Sequence, residues 1–333
     1  MLANCTFPGV NPVISAPTLT PTQAPAVTPT DTVPAPFAPA ELGMAENPLI
    51  LALPPSANSS EQIAAAKVIA AQLTQRTGYT VVTVVPDSYA ALVDALEKGN
   101  AHIVLLDPYA YELAYQRGLV KAAYGVMKDG ESLYGAQFLA THKEGYQSYY
   151  NETSDENTAD APVALAQFAD KKPCWSDETS ASGYVIPLGY LNQNEVSTKP
   201  AAFVEGHPTV VRSLYATGIC DFGATYVDAR KFPSLEDEFP DLLEQVIVVW
   251  RIPKIIPYNV LAFSTAMPQH MRDLFSTQIA AILQTDDGRA AFKTAYDIEE
   301  LQAVNDGFYE QFRTYLQASG IDLPTLVNKV SAP

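Results

Sequence analysis

The chain has 333 residues, 47% of them hydrophobic, which suffices to bury a sizeable core arranged as two lobes. Its formal net charge is −17, from 37 acidic against 20 basic side chains, and no Lys/Arg cluster or basic helix face interrupts that acidity. Nucleic acid and anionic membrane surfaces are therefore poor partners, whereas a small anion is not, because a buried site is governed by its own donors and charges beyond roughly 8–10 Å are screened.

Residues 1–46 read as a separate material. Nine prolines and a single charge, Asp31, fall between positions 6 and 40. Such a stretch cannot bury enough surface to fold and reads as an extended tether, about 3.1 Å per residue. Leu2-Ala3-Asn4-Cys5 in front of it resembles the end of a bacterial lipoprotein signal. That likeness implies a lipid on Cys5 and membrane contact through this anchor alone. No apolar run reaches the roughly 18 residues that a spanning helix needs.

From residue 47 strand and helix patterns alternate. A short apolar strand at 49–53 leads to a helix capped by Ser59 or Ser60 and ended by Gly78, with Ile63, Ala66, Ile69 and Leu73 on one face. A β-branched strand at 79–85, a helix at 88–98, a strand at 102–106 and a helix opened by Asp107-Pro108 complete a parallel α/β unit. After a strand at 134–141, residues 145–162 are polar and acidic and read as a surface loop, followed by a short helix at 163–170. A helix from Ser180 or Ser182 to 191, strands at 203–205, 221–225 and 246–251, and a helix at 208–217 form a second unit. Residues 252–257, with Pro253 and Pro257 four apart, read as an extended crossover, and helices at 268–283, 288–296 and 306–319 end the chain.

The chain is thus expected to pass between units near 138–143 and to return near 252–260. Lobe 1 would comprise 47–138 with 258–333, and lobe 2 would comprise 139–257. Two crossovers describe a hinged clamp, and ligands of open α/β sheets sit beyond the carboxyl ends of strands, which places a site in the cleft. Cys174 and Cys220 both fall in lobe 2. In an exported protein they are expected to form a disulfide closing a loop of nearly fifty residues; two buried free thiols are the alternative.

Motifs for chemistry are scarce. No Gly-x-Ser-x-Gly, His-Glu-x-x-His, Cys-x-x-Cys or phosphate loop occurs, and the four histidines have no metal-ligand spacing, so neither catalysis nor a metal or cofactor is expected. One stretch stands out: Asp177-Glu178-Thr179-Ser180-Ala181-Ser182-Gly183 before an apolar run. It reads either as a serine cap on a helix or as a helix start open to an anion, with free N–H groups, hydroxyl donors and a glycine allowing close approach.

This stretch is similar to the Asp-Pro-x-Ser-Thr-Ser-Gly motif of the phosphate/phosphite/phosphonate solute-binding proteins of ABC transporters. The neighbours agree in order: Ser88-Tyr89-Ala90 opening a helix, Tyr134 opening the strand to the hinge, Gly206-His207, the segment Asp221-Phe222-Gly223-Ala224-Thr225, and Trp250 through Pro257. The resemblance covers residues 48–315. It implies a two-lobe type II periplasmic-binding-protein fold, an extracytoplasmic monomer that closes around a phosphonate, phosphite, phosphate or related oxyanion, and an ABC permease as partner. Carried over by position, it implies a ligand set of Tyr89, Tyr134, Thr179, Ser180, Ala181, Ser182 and His207, with Asp228 as an acid facing the ligand. Two positions depart from the pattern: Ala181 replaces a threonine, and Asn259 stands where a second acid is expected. Two rival readings use the same residues. One is a sensor reporting an oxyanion to a membrane kinase. The other is a hydrolase, for which Ser180 and His207 form the sole candidate pair.

Overall fold

A computed structural model describes residues 41–57 and 59–330. The expected lipidation at Cys5 and nearly all of the tether at 1–46 lie outside the described residues. In chain order the strands are β1 (Leu49–Ala52), β2 (Val81–Val84), β3 (Ile103–Leu106), β4 (Val120–Met127), β5 (Leu133–Thr141), β6 (Tyr150–Asn151) and β7 (Glu156–Asn157). They continue with β8 (Pro173–Trp175), β9 (Ala202–Phe203), β10 (Phe222–Tyr226), β11 (Val246–Pro257), β12 (Val260–Ser264) and β13 (Glu300–Ala303).

Two sheets organise the molecule. The first runs β13–β4–β12–β3–β1–β2 and the second β11–β5–β10–β8–β9. In the first, β1 pairs in parallel with β2 and β3, while β12 is antiparallel to both β3 and β4. In the second, β8 pairs in parallel with β9 and β10, and β5 runs antiparallel between β10 and β11. The parallel strands are those joined by the predicted helices. Ser59 and Gln62 form a reciprocal capping box at the start of Ser60–Thr77, and Gly78 at φ 78° ends it in the left-handed conformation that glycine adopts without strain.

The strand pairing relocates the first crossover. β5 pairs with second-sheet strands from Leu133, opposite Pro257, to Thr141, opposite Val246. The chain therefore changes sheets between Met127 and Leu133, earlier than the expected 138–143. The return occurs at Tyr258-Asn259, between β11 and β12. The sequence pattern missed β4, β12 and β13, so β5 was the first strand after the parallel unit and drew the boundary to itself.

The C-terminal segment also departs from expectation. Helix Glu310–Ala318 packs on Ile186–Gln193 of the second half, where Tyr315 and Tyr190 stack at 3.6 Å between ring centroids. Gly189 permits this approach, since a Cβ there would stand 2.0 Å from the Tyr315 carbonyl oxygen. One apolar cluster accordingly runs from Val104 and Leu106 through Tyr109 and Phe312 to Phe138, Trp175 and Trp250. The acidic segment 145–162 is not wholly loop: it carries the β6–β7 hairpin and the start of helix Ala161–Leu165. Cys174 and Cys220 are bonded to each other.

Candidate ligand-binding site

Chain reversals at the carboxyl ends of strands place the site. β3 ends at Leu106, and Asp107 caps the helix Pro108–Gln116, its Oδ1 accepting from the backbone N–H groups of Tyr109 and Ala110 at 2.8 and 3.2 Å. β8 ends at Trp175 and feeds residues 176–185. Ser180 caps the turn that follows, its Oγ accepting from the Gly183 N–H at 3.0 Å. That turn, Ala181–Val185, is a wide π-helical turn, with Val185 N–H bonded to the Ser180 carbonyl, and it runs on into the α-helix Ile186–Gln193. Pro187 has no N–H to return to the Gly183 carbonyl, and Ser176 N–H donates to that carbonyl instead, at 3.3 Å.

Gly183 is needed where it stands. A Cβ would lie 2.0 Å from Ser176 Oγ and 2.9 Å from His207 Cε1. The turn is thereby pressed against His207, the first residue of helix His207–Ala216. Ser180 Oγ and His207 Nε2 are 3.5 Å apart, and the imidazole packs edge-on against Tyr226. Burial lowers the histidine's pKa against the opposing pull of Asp177, so the ring is neutral at pH 7. Its Nδ1 and the Oγ of Ser176 are buried and have no hydrogen-bond partner among the described residues. A Ser–His pair built for nucleophilic attack has an acid or carbonyl holding the far ring nitrogen, and here that nitrogen is unheld.

The two halves meet across a cavity of about 450 Å³. Pro54, Asp107 and Tyr109 line it from the first half, Thr179 and Ala181 from the second, and Tyr134, Tyr258 and Asn259 stand at or beside the crossovers. Tyr109 closes the gap, its hydroxyl donating to the Thr179 carbonyl at 3.0 Å. Tyr134 stacks on Tyr258 at 5.0 Å, and burial pushes its hydroxyl up to about 12, a rise that the Ser182 hydroxyl partly offsets. Tyr89 opens helix Tyr89–Glu97 and is buried; its phenol is raised by burial and then by the nearby Asp107 charge. Among the predicted residues, Tyr134, Thr179, Ala181 and Asn259 line the cavity. Ser180, Ser182 and His207 are not among its lining residues but belong to or pack on the turn that carries Ala181, and Tyr89 lies near Asp107.

Asp228, expected as an acid facing the ligand, is held by neighbouring side chains. Its carboxylate accepts from Arg230 Nε at 3.0 Å, Arg230 Nη2 at 2.7 Å and Gln137 Nε2 at 2.7 Å. Burial alone would raise its pKa; the hydrogen bonds and charge of Arg230 and the Gln137 amide together hold it below the usual carboxylate range. Arg230 is itself buried and also bonds Glu152 and the Val246 carbonyl. Arg251 reaches the same cluster 4.0 Å from the Asp228 carboxylate, pairs with Asp155 and stands over the Tyr150 ring. In this arrangement Asp228 is a counter-ion to Arg230.

Sequence reasoning passed over Asp107, Tyr109, Tyr258 and Lys128 as lining residues. Asp107-Pro108 signalled a helix start, and nothing in the dipeptide tells a solvated cap from a buried one. Tyr258 had a weak signal, its place beside the predicted return crossover.

Comparison with known proteins gives the family and the fold. Residues 51–309 match the family model described as ABC transporter, phosphonate, periplasmic substrate-binding protein. The Phosphate-import protein PhnD of Mycolicibacterium smegmatis is 28% identical over 242 residues, which covers 70% of this chain and 71% of the relative. The structure titled XAC2383 from Xanthomonas citri bound to ATP superposes with a TM-score of 0.57 at 15% identity, over 84% of this chain and 98% of that one. At that identity the likeness is one of fold. The family match spans most of the chain, including both crossovers and the Ser180–Gly183 turn, and so this protein belongs to the phosphonate-type periplasmic substrate-binding proteins of ABC transporters.

Proposed function

We propose that the chain binds a tetrahedral oxyanion, a phosphate, phosphite or phosphonate, between a lobe built on the first sheet and a lobe built on the second, and hands it to the permease in the closed form. The carrying observation is the convergence of Ser180, Ser182, Gly183, Tyr134 and a neutral His207 around one turn that faces the cavity. Hydroxyl and imidazole donors of this kind match the oxygens of such an anion, and each charge-assisted bond contributes roughly 1.5–3 kcal/mol. The neutral imidazole can present an N–H and needs no counter-ion. Without an orienting partner on Nδ1, the pair serves binding rather than turnover.

The two sheet changes at 128–132 and at Tyr258-Asn259 are the hinge of this clamp, and the Tyr109–Thr179 bond is a contact of its closed form. The protein acts as a monomer held at the outer face of the membrane by a lipid on Cys5. Calorimetry against phosphate, phosphite, methylphosphonate and sulfate tests the reading: at least one of the phosphorus oxyanions binds at micromolar concentration. The Ser180→Ala, Ser182→Ala double variant loses at least about 100-fold in affinity, from two donors at roughly 1.5 kcal/mol each. Unchanged affinity in that variant means the anion sits elsewhere.

A further inference from the structure

The cavity holds an acid that the oxyanion reading has not used. Asp107 is 7% exposed, and its two carboxyl oxygens have unlike surroundings. Oδ1 caps the helix Pro108–Gln116 through two backbone N–H groups. Oδ2 is buried and has no hydrogen-bond partner among the described residues, while the residue itself lines the cavity. A buried carboxyl oxygen left without a donor carries a desolvation penalty that a bound group can relieve.

The charged and titratable groups near this carboxyl leave Oδ2 without a donor. Tyr89 from Tyr89–Glu97 and Tyr109 from its own helix interact with its charge, and both phenols stay neutral at physiological pH because burial, and then Asp107 among nearby charges, raises them. Tyr134 from β5 and Asp177 likewise raise Tyr109. His207 is neutral. Lys128 and Asp297, on the rim of the same cavity, pair with each other at 3.5 Å. No ion pair among the described residues reaches Asp107. A bare carboxylate beside a bound anion repels it; a carboxyl that shares one proton with the anion attracts it.

Resting on the oxyanion reading, we propose that Asp107 is a specificity-determining residue that selects ligands able to place a proton between one ligand oxygen and Oδ2. Hydrogen phosphate brings that proton as its own P–OH. Phosphite and methylphosphonate, once doubly ionised, acquire it from solvent on binding. Sulfate has no proton at neutral pH and is too weak a base to draw one from solvent, so it binds only where Asp107 itself is protonated and is disfavoured. Burial raises the Asp107 pKa to about 6, against the lowering by its backbone hydrogen bonds, which makes a shared proton accessible near neutral pH.

The test is calorimetry of the wild type and Asp107→Asn. Asparagine keeps the cap acceptor at Oδ1 and puts an N–H donor where Oδ2 was. For the wild type at pH 7, phosphate outcompetes sulfate by at least about tenfold, the cost of protonating a carboxyl whose pKa is about 6, and the gap widens as pH rises. Methylphosphonate affinity falls about tenfold per pH unit above the ligand's second ionisation, and titrations in two buffers of different ionisation enthalpy count an uptake of about one proton there. In Asp107→Asn the preference for phosphate over sulfate falls to within about threefold and the pH slope flattens. A variant that retains both the preference and the slope overturns the proposal. So does a wild type that binds phosphate and sulfate equally with no proton uptake, which leaves the oxyanion site standing. A wild type that binds none of these anions overturns both. If 2-aminoethylphosphonate binds far better than methylphosphonate and the variant erases that gap, Asp107 receives an ammonium and the proton assignment is wrong. Should the variant fail to fold, the proton count on the wild type decides alone.

Discussion

Replacing Asp228 with asparagine separates a ligand contact from a structural counter-ion. The Asp228 side chain is 7% exposed and that of Arg230 only 1%, and the pair is joined through Nε and Nη2, with Gln137 as a third donor. Removing one charge of a buried pair costs about 3–5 kcal/mol, because the partner is left uncompensated in a medium that cannot solvate it. Asparagine keeps one acceptor, and Glu152 remains 2.8 Å from Arg230, but Glu152 is 63% exposed and weakly felt. The expected loss is therefore at the lower end, about 3 kcal/mol, or a melting-temperature drop of about 6–12 °C for a chain of this size. Thermal melts followed by the emission of the buried Trp175 and Trp250 report it.

The pH dependence adds a second readout. The folded pKa of Asp228 lies below its unfolded value, so its contribution is present above about pH 4 and is lost as pH falls through the folded value. The gap between wild type and Asp228→Asn should thus be constant from pH 8 to about pH 5 and close in stronger acid. Oxyanion affinity at pH 7 should stay within about threefold, under 1 kcal/mol. A variant that melts like the wild type but loses more than about tenfold in affinity would refute the reasoning and return Asp228 to the ligand.

Two further changes probe the frame. Reducing Cys174–Cys220, which closes a separation of 46 residues, should lower stability by about 4 kcal/mol and the melting temperature by about 10 °C; a shift under about 2 °C would refute the loop-closure account. Gly189→Ala forces a Cβ onto the Tyr315 carbonyl oxygen, so despite the better helix propensity of alanine it should destabilise by about 1–3 kcal/mol, measured by urea unfolding. A neutral or stabilising Gly189→Ala would mean the Tyr190–Tyr315 contact yields without cost.

The parallel unit was legible because its signals are local. Ser59, Ser88 and Asp107 mark helix starts, glycines mark stops, and β-branched or apolar runs mark strands. The Ser180–Gly183 turn was legible as a helix start, although its π-helical width follows from Pro187 and from packing against Ser176 and His207. Strands β4, β12 and β13 were missed because their pairing partners are remote: β12 lies between β3 and β4 and is joined to neither by a short turn. Asp228 illustrates the same limit in the site. Its partner Arg230 is two residues away, but the sequence does not show that both are buried and that Gln137 of β5 completes the cage. The motif position alone suggested a free acceptor.

The two buried acids then explain how a chain of net charge −17 can hold an anion. Distant surface carboxylates are screened within about 8 Å in physiological salt, so only groups inside the cleft decide affinity. Asp228 is silent there, since Arg230 cancels its charge within the second half of the molecule. Asp107 is not cancelled. Two unit negative charges about 4 Å apart at an effective dielectric of about 20 repel by about 4 kcal/mol, close to a thousandfold in affinity, and a dianion doubles that. The donors of the Ser180–Ser182 turn, at roughly 1.5–3 kcal/mol each, could not carry both that repulsion and micromolar binding. One proton on the Asp107–ligand axis reverses the sign of the largest unfavourable contribution. The same carboxyl that would bar an unprotonated anion therefore becomes an attractive contact for one that carries or acquires a proton, and discrimination follows from a single buried oxygen.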